Sequence, residues 1–269
     1  MRNLSRAVRK TEGAGEPVPL PFQSWTDAGI GFWRSDLSMI AGPPGIGKST
    51  VALTVGVHSH LPCLYFSADS SLATQSARVV SMLTSIPLAS IKRRIDLEPE
   101  VFWEEDWVKE ALTQASHIQW NFDSQPSLKT IDEEVETFIT VRGEAPQLIV
   151  IDNATDIAFD SGDEFSSLRE LMRQLKLTSR ELNAAVVVLH HTSESVPSDP
   201  CPPLLSLHGK ISQVPSAVVT LGSPNSGVLT ACAVKNRNGP MDRWGKKATY
   251  MDYNPDVMRV TDVETWSST

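Results

Sequence analysis

The decapeptide Ala41-Gly-Pro-Pro-Gly-Ile-Gly-Lys-Ser-Thr50 constrains this chain more than any other stretch. It fits G-x-x-x-x-G-K-[ST] through Gly42, Gly47, Lys48 and Ser49, with a further glycine at Gly45. The run Ser38–Ala41 before it has the character of a buried strand, and the apolar residues after Ser49 recur at helical spacing. Strand, glycine-rich loop and helix are therefore predicted in that order. Phosphate oxygens must approach several backbone N–H groups at once, so side chains are excluded and glycine is favoured. The start of the helix adds more N–H groups and the positive end of its dipole. Gly42, Pro43, Pro44, Gly45, Ile46, Gly47, Lys48, Ser49 and Thr50 are together expected to wrap the phosphates of a nucleoside triphosphate. Lys48 supplies a point charge toward the β- and γ-phosphates, and the Ser49 hydroxyl supplies a Mg²⁺ ligand.

The rest of the chain is organised as such a loop requires. Cys63–Phe66 reads as a second buried strand, running into Ser67-Ala-Asp69, where a strand's C-terminal end faces the ligand crevice of an open α/β sheet. A helix with Leu72, Val79 and Leu83 on one face follows, with Arg78 beside them. Residues 81–107 carry no clear period. His117–Phe122 alternates as a half-buried strand does, and Thr130-Ile-Asp-Glu133 reads as a capping box opening a helix with Ile131, Val135, Phe138 and Ile139 inward. Gln147–Asp152 is an apolar strand ending in a carboxylate, the position of an acid that orders Mg²⁺ through water. An amphipathic helix over residues 167–182 and a buried strand Ala184–Leu189, ending in His190-His191, come next. Residues 192–209 are polar and proline-rich and predict a long exposed loop. Ala217–Leu221, Val228–Lys235 and Ala248–Tyr253 are strand-like, with no helices between them. The alternation predicts an α/β fold with a mainly parallel central sheet flanked by helices and antiparallel strands at the C-terminus.

At 269 residues and 41% apolar, the chain suits one large domain with a small appendage. Residues 1–22 form the appendage, a basic, Pro/Gly-containing arm, and residues 23–269 the domain. Arg2, Arg6, Arg9 and Lys10 suit either a solvated tail or a short helix, with Leu4 and Val8 on one side, that docks on a neighbour or on phosphate. The net charge of −8 gives no global basic field and counts against a monomeric DNA binder. Cys63, Cys201 and Cys232 are too few and too scattered for a disulfide framework or a zinc site, which suits a reducing cytoplasm. There is no signal peptide and no apolar run long enough to span a membrane.

Residues 25–255 resemble the RecA-fold ATPase core of DnaB-like replicative helicases and RecA-like proteins, especially compact phage-encoded members. The resemblance rests on the phosphate loop, on Leu148–Asp152, and on Phe66-Ser-Ala-Asp69 with Arg78, which is similar to the helicase stretch F-S-L-E…R. Leu189-His-His191 stands where that family has a polar γ-phosphate sensor, and Lys235-Asn-Arg237-Asn-Gly239-Pro240 is very like K-x-R-N-G-P. The resemblance implies ATP and Mg²⁺ at the site, Asp69 activating the attacking water and His191 sensing the γ-phosphate. It also implies Lys235 and Arg237 reaching the γ-phosphate of an adjacent subunit, in a hexameric ring or filament on single-stranded DNA. The setting would be replication, recombination or repair, in the host cytoplasm if the chain is phage-encoded. Three departures accompany it. The water-activating acid is Asp rather than Glu, one methylene shorter. The N-terminal domain that replicative helicases use for primase and loader contacts has no room here. Residues 192–209, which should meet DNA, contain Glu194 and Asp199 and no Lys or Arg. Two other functions stay open: a metal-dependent nuclease using Asp160, Asp163 and Glu164, and a regulatory or mediator ATPase that drives no movement.

Overall fold

The computed structural model describes residues 15–158, 164–193 and 199–263. Nine strands form one sheet: β1 Leu37–Gly42, β2 Cys63–Ser67, β3 Ile118–Asn121, β4 Leu148–Asp152, β5 Ala185–His191, β6 Ala217–Gly222, β7 Val228–Asn236, β8 Thr249–Asn254 and β9 Arg259–Asp262. Their order is β3-β2-β4-β5-β1-β6-β7-β8-β9. From β3 to β6 every pairing is parallel. From β6 to β9 every pairing is antiparallel. The change follows the connections, because parallel neighbours need crossovers and successive strands without helices between them can fold back directly.

The helices are α1 Gln23–Asp27, α2 Lys48–Ser59, α3 Leu72–Thr84, α4 Leu88–Leu97, α5 Pro99–Glu104, α6 Asp106–Gln114, α7 Leu128–Arg142 and α8 Glu164–Glu181. Every residue of β1, β2, β4 and β6 is buried, as strands covered on both faces must be. Alternate strand residues divide between the two faces. Ile40, Tyr65, Val150 and Leu189 pack with Val51 and Val55 of α2 and with the N-terminal aromatics Phe22, Trp25 and Phe32. Met39, Phe66, Ile151 and Val188 pack on the other face with Phe138 of α7 and Leu171 and Met172 of α8. A third cluster, with Val80, Ile91, Phe102 and Val108, ties α3 to α6 and accounts for residues 81–107.

Several expectations are corrected. The helix expected to open at Thr130 has its cap at Ser127, and Thr130 is the third residue that completes the box. The Ser127 hydroxyl accepts from Thr130 N–H, and the Thr130 hydroxyl accepts from Ser127 N–H. Ile139, expected inward, is exposed, because it lies a step of about 100° round the helix from buried Phe138. Leu72 is exposed as well, at the first residue of α3. Residues 192–209 are not an exposed loop throughout, since Cys201 and Leu207 are buried in the second core. Strand β9 was not anticipated. Of the expected arm, residues 1–14 lie outside the described residues, while Val18 and Phe22 are buried in the first core and Val18 N–H bonds the Phe32 carbonyl.

Candidate nucleotide site

The phosphate loop leaves β1 at Gly42 and enters α2 at Lys48. Gly45 and Gly47 have φ of 73° and 106°, the left-handed region where glycine is favoured. Gly47 also caps α2, and an added Cβ would stand 3.1 Å from the Tyr253 ring. Lys48 folds back inside the loop. Its Nζ donates to the carbonyls of Gly42 (3.0 Å) and Pro43 (2.9 Å) and lies 3.1 Å from His191 Nδ1. Burial lowers the Lys48 pKa to about 8 against the opposing pull of Asp152 and Asp69. Burial, then the Lys48 charge, also lowers His191, which leaves the imidazole as a neutral acceptor for the ammonium.

Lys48 opens onto a cleft of about 290 Å³ that also takes in Gly45, Gly47, Ser49, Thr50, Asp69, Asp152 and His191. Gly42 and Pro43 serve it through the carbonyls that hold Lys48; Ile46 packs on the core and Pro44 is exposed. Asp152 ends β4 on the floor, buried, and accepts from the Tyr65 hydroxyl at 3.2 Å. Burial raises its pKa, while hydrogen bonds from Ser49 and Tyr65 favour the carboxylate. A buried carboxylate beside a loop hydroxyl suits a hard divalent cation bound through oxygen and water. Asp69 stands exposed on the rim, where Asn153 Nδ2 donates to it at 3.3 Å. Arg78 also lines the cleft and donates to Ser70 Oγ at 3.0 Å.

Lys235 and Arg237 are elsewhere. Lys235 pairs across β6 with Val218, near the end of that strand remote from Gly222, and neither residue lines the cleft of its own chain. Lys235 Nζ donates to the carbonyls of Ser212 (2.6 Å), Gln213 (3.0 Å) and Pro215 (2.6 Å). Burial, then Arg237 and Lys176, lowers its pKa to about 8. Arg237 is exposed; its guanidinium donates to the Gln213 carbonyl at 3.3 Å and its backbone N–H to the Ser216 carbonyl at 3.0 Å. Among the described residues, no group of three or more His, Cys, Asp or Glu is placed to hold a metal. Asp160, Asp163 and the Glu164 side chain lie outside the described residues.

Three cleft residues escaped the sequence reading: Asn153, Tyr253 and Met258. Asn153 directly follows Asp152, so the strand-end argument that found the acid could have found it too. Tyr253 and Met258 come from the antiparallel end of the sheet and belong to no local motif.

A model of the DnaB-like helicase C terminal domain matches residues 18–244. The chain belongs to that family. As a DnaB-like chain it is an NTP-hydrolysing enzyme of the helicase type. It is 34% identical over 257 residues to the Gene 65 protein of Mycobacterium phage L5, covering 93% of this chain and 94% of that one. It is 23% identical over 257 residues to the replicative DNA helicase DnaB of Leifsonia xyli, covering 87% of this chain and 54% of that protein, about half its length. A solved DnaB-like replicative helicase shares its fold, with a TM-score of 0.76, 19% identity and coverage of 97% of this chain and 65% of that one. Among the described residues no helix is long and apolar enough to cross a membrane.

Proposed function

We propose that this DnaB-like ATPase hydrolyses ATP to move along single-stranded DNA in phage-type replication, recombination or repair, in the host cytoplasm, as a ring or filament of identical subunits. The convergence of Lys48, Ser49, Asp69, Asp152 and His191 on one cleft, with Arg237 outside it, carries this reading. The loop N–H groups and Lys48 bind the triphosphate. Ser49, and Asp152 through water, would hold Mg²⁺, which when bound neutralises charge on the β- and γ-phosphates. Asp69, on the rim and oriented by Asn153, takes the proton of the attacking water. His191, in contact with Lys48 and at the end of β5, senses the γ-phosphate and passes its state to the segment that follows. Arg237 projects from the far end of β7 toward a neighbour's cleft, where a guanidinium contributes about 10³–10⁵ in rate. Lys235, two residues earlier and within the same strand, is the second cation of that pair.

ATP turnover with and without single-stranded DNA tests this. Turnover should rise with DNA, and Asp69→Asn should bind ATP and fail to hydrolyse it, since an amide cannot accept the proton. Wild-type turnover indifferent to DNA would favour a regulatory ATPase instead.

A further inference from the structure

The connection from β7 to β8 carries a charge opposite to that of the whole chain. From Arg237 to Lys247 there are four cations, Arg237, Arg243, Lys246 and Lys247, against one acid, Asp242, in a protein of net charge −8. That acid is taken up by the loop's own backbone. Its carboxylate accepts the backbone N–H groups of Trp244 (3.0 Å), Lys246 (2.7 Å) and Lys247 (2.8 Å), which fixes the loop, and Arg243, Trp244, Lys246 and Lys247 are exposed.

The same loop is fastened to the segment downstream of His191. Cys201 N–H donates to the Gly245 carbonyl at 3.2 Å and Leu204 N–H to the Arg243 carbonyl at 2.9 Å. Lys246 Nζ donates to the Asp199 carbonyl at 2.6 Å. Gly245 has φ of 72°, and an added Cβ would stand 2.4 Å from the Cys201 carbonyl oxygen, so the two segments touch through backbone. Residues 192–209 contain no Lys or Arg of their own.

At the tip, Trp244 is 59% exposed, with the Arg243 guanidinium carbon 5.4 Å from its ring centroid. An indole held out on a rigid loop among cations provides both elements of single-strand binding, a π-face for a base and charges for the backbone. Duplex DNA has its bases already stacked and offers no free face to the indole.

We infer that residues 243–247 are a contact site for single-stranded nucleic acid. Trp244 stacks on a base, and Arg243, Lys246 and Lys247 lie against phosphates. The site supplies charge that the 192–209 segment lacks, at positions bonded to that segment. This rests on the single-stranded DNA reading above and names where the strand is held.

Binding of a fluorescent oligothymidylate, with Mg²⁺ and a non-hydrolysable ATP analogue, is the test. Trp244→Ala should weaken binding about tenfold or more. Trp244→Phe should recover most of that loss, because it keeps a stacking face. Lys247→Ala should reduce the slope of log affinity against log salt by about 0.7. Melting temperatures should not move, since both side chains are exposed. If the wild type binds oligothymidylate and all three variants match it in affinity and salt slope, this site is overturned while the motor reading stands, and the loop is left to an acidic protein partner. Equal losses on duplex DNA would overturn the single-strand assignment. A wild type that binds no oligothymidylate overturns both readings.

Discussion

Lys48 sets burial directly against charge. Its ammonium is held by two carbonyls and His191, and burial brings its pKa down to about 8. A bound triphosphate favours the protonated form and raises that pKa, so binding takes up a proton once pH exceeds about 8. Nucleotide affinity should be flat below that point and fall by up to about tenfold per pH unit above it. Lys48→Met should bind more weakly, with a flat profile. Titration calorimetry in buffers of different ionisation enthalpy reads both the affinity and the proton uptake. A wild-type affinity that stays constant through and above pH 8, without proton uptake, would deny Lys48 its role as the principal phosphate cation.

The strands β7, β8 and β9 form an element that does more than close an edge. They carry Tyr253 to the phosphate loop, where its ring lies against Gly47, on the rim of the cleft. If that ring supports the base, Tyr253→Ala should weaken ATP binding about tenfold, the scale of one base–aromatic stack. Binding of inorganic tripolyphosphate should be unchanged, and equal losses for both ligands would make the tyrosine a support for the loop instead. Tyr253 also marks how far the sequence could be read. The phosphate loop, the strand ending in Asp152 and the alternation around them were legible, because each is a local pattern with one physical solution. Tyr253 was not, since its place depends on β9, α2 and the antiparallel register together. The cluster joining α3 to α6 was hidden in the same way, its short helices being held by contacts among themselves rather than by a long apolar face. At the cap of α7, Thr130 gave the right motif and the wrong end of it.

At the scale of the whole molecule, the cleft and the proposed finger lie toward opposite ends of the sheet. The cleft lies at the C-terminal ends of β1, β4 and β5, whereas Arg237 leaves the sheet beyond the other end of β6. One chain thus presents the cleft at one place and an exposed guanidinium at another, which is the arrangement a head-to-tail ring or filament uses. Residues 199–207 and 241–247 are joined by backbone bonds, Cys201 to Gly245 and Leu204 to Arg243. The trans-acting guanidinium is the claim on which the account depends. Mixing Lys48→Ala, which lacks the phosphate cation, with Arg237→Ala, which lacks the finger, tests it most directly. Each alone should be inactive, and the mixture should regain ATP turnover where an intact loop from one meets an intact Arg237 from the other. Arg237→Ala protein that hydrolyses ATP by itself at the wild-type rate would contradict it.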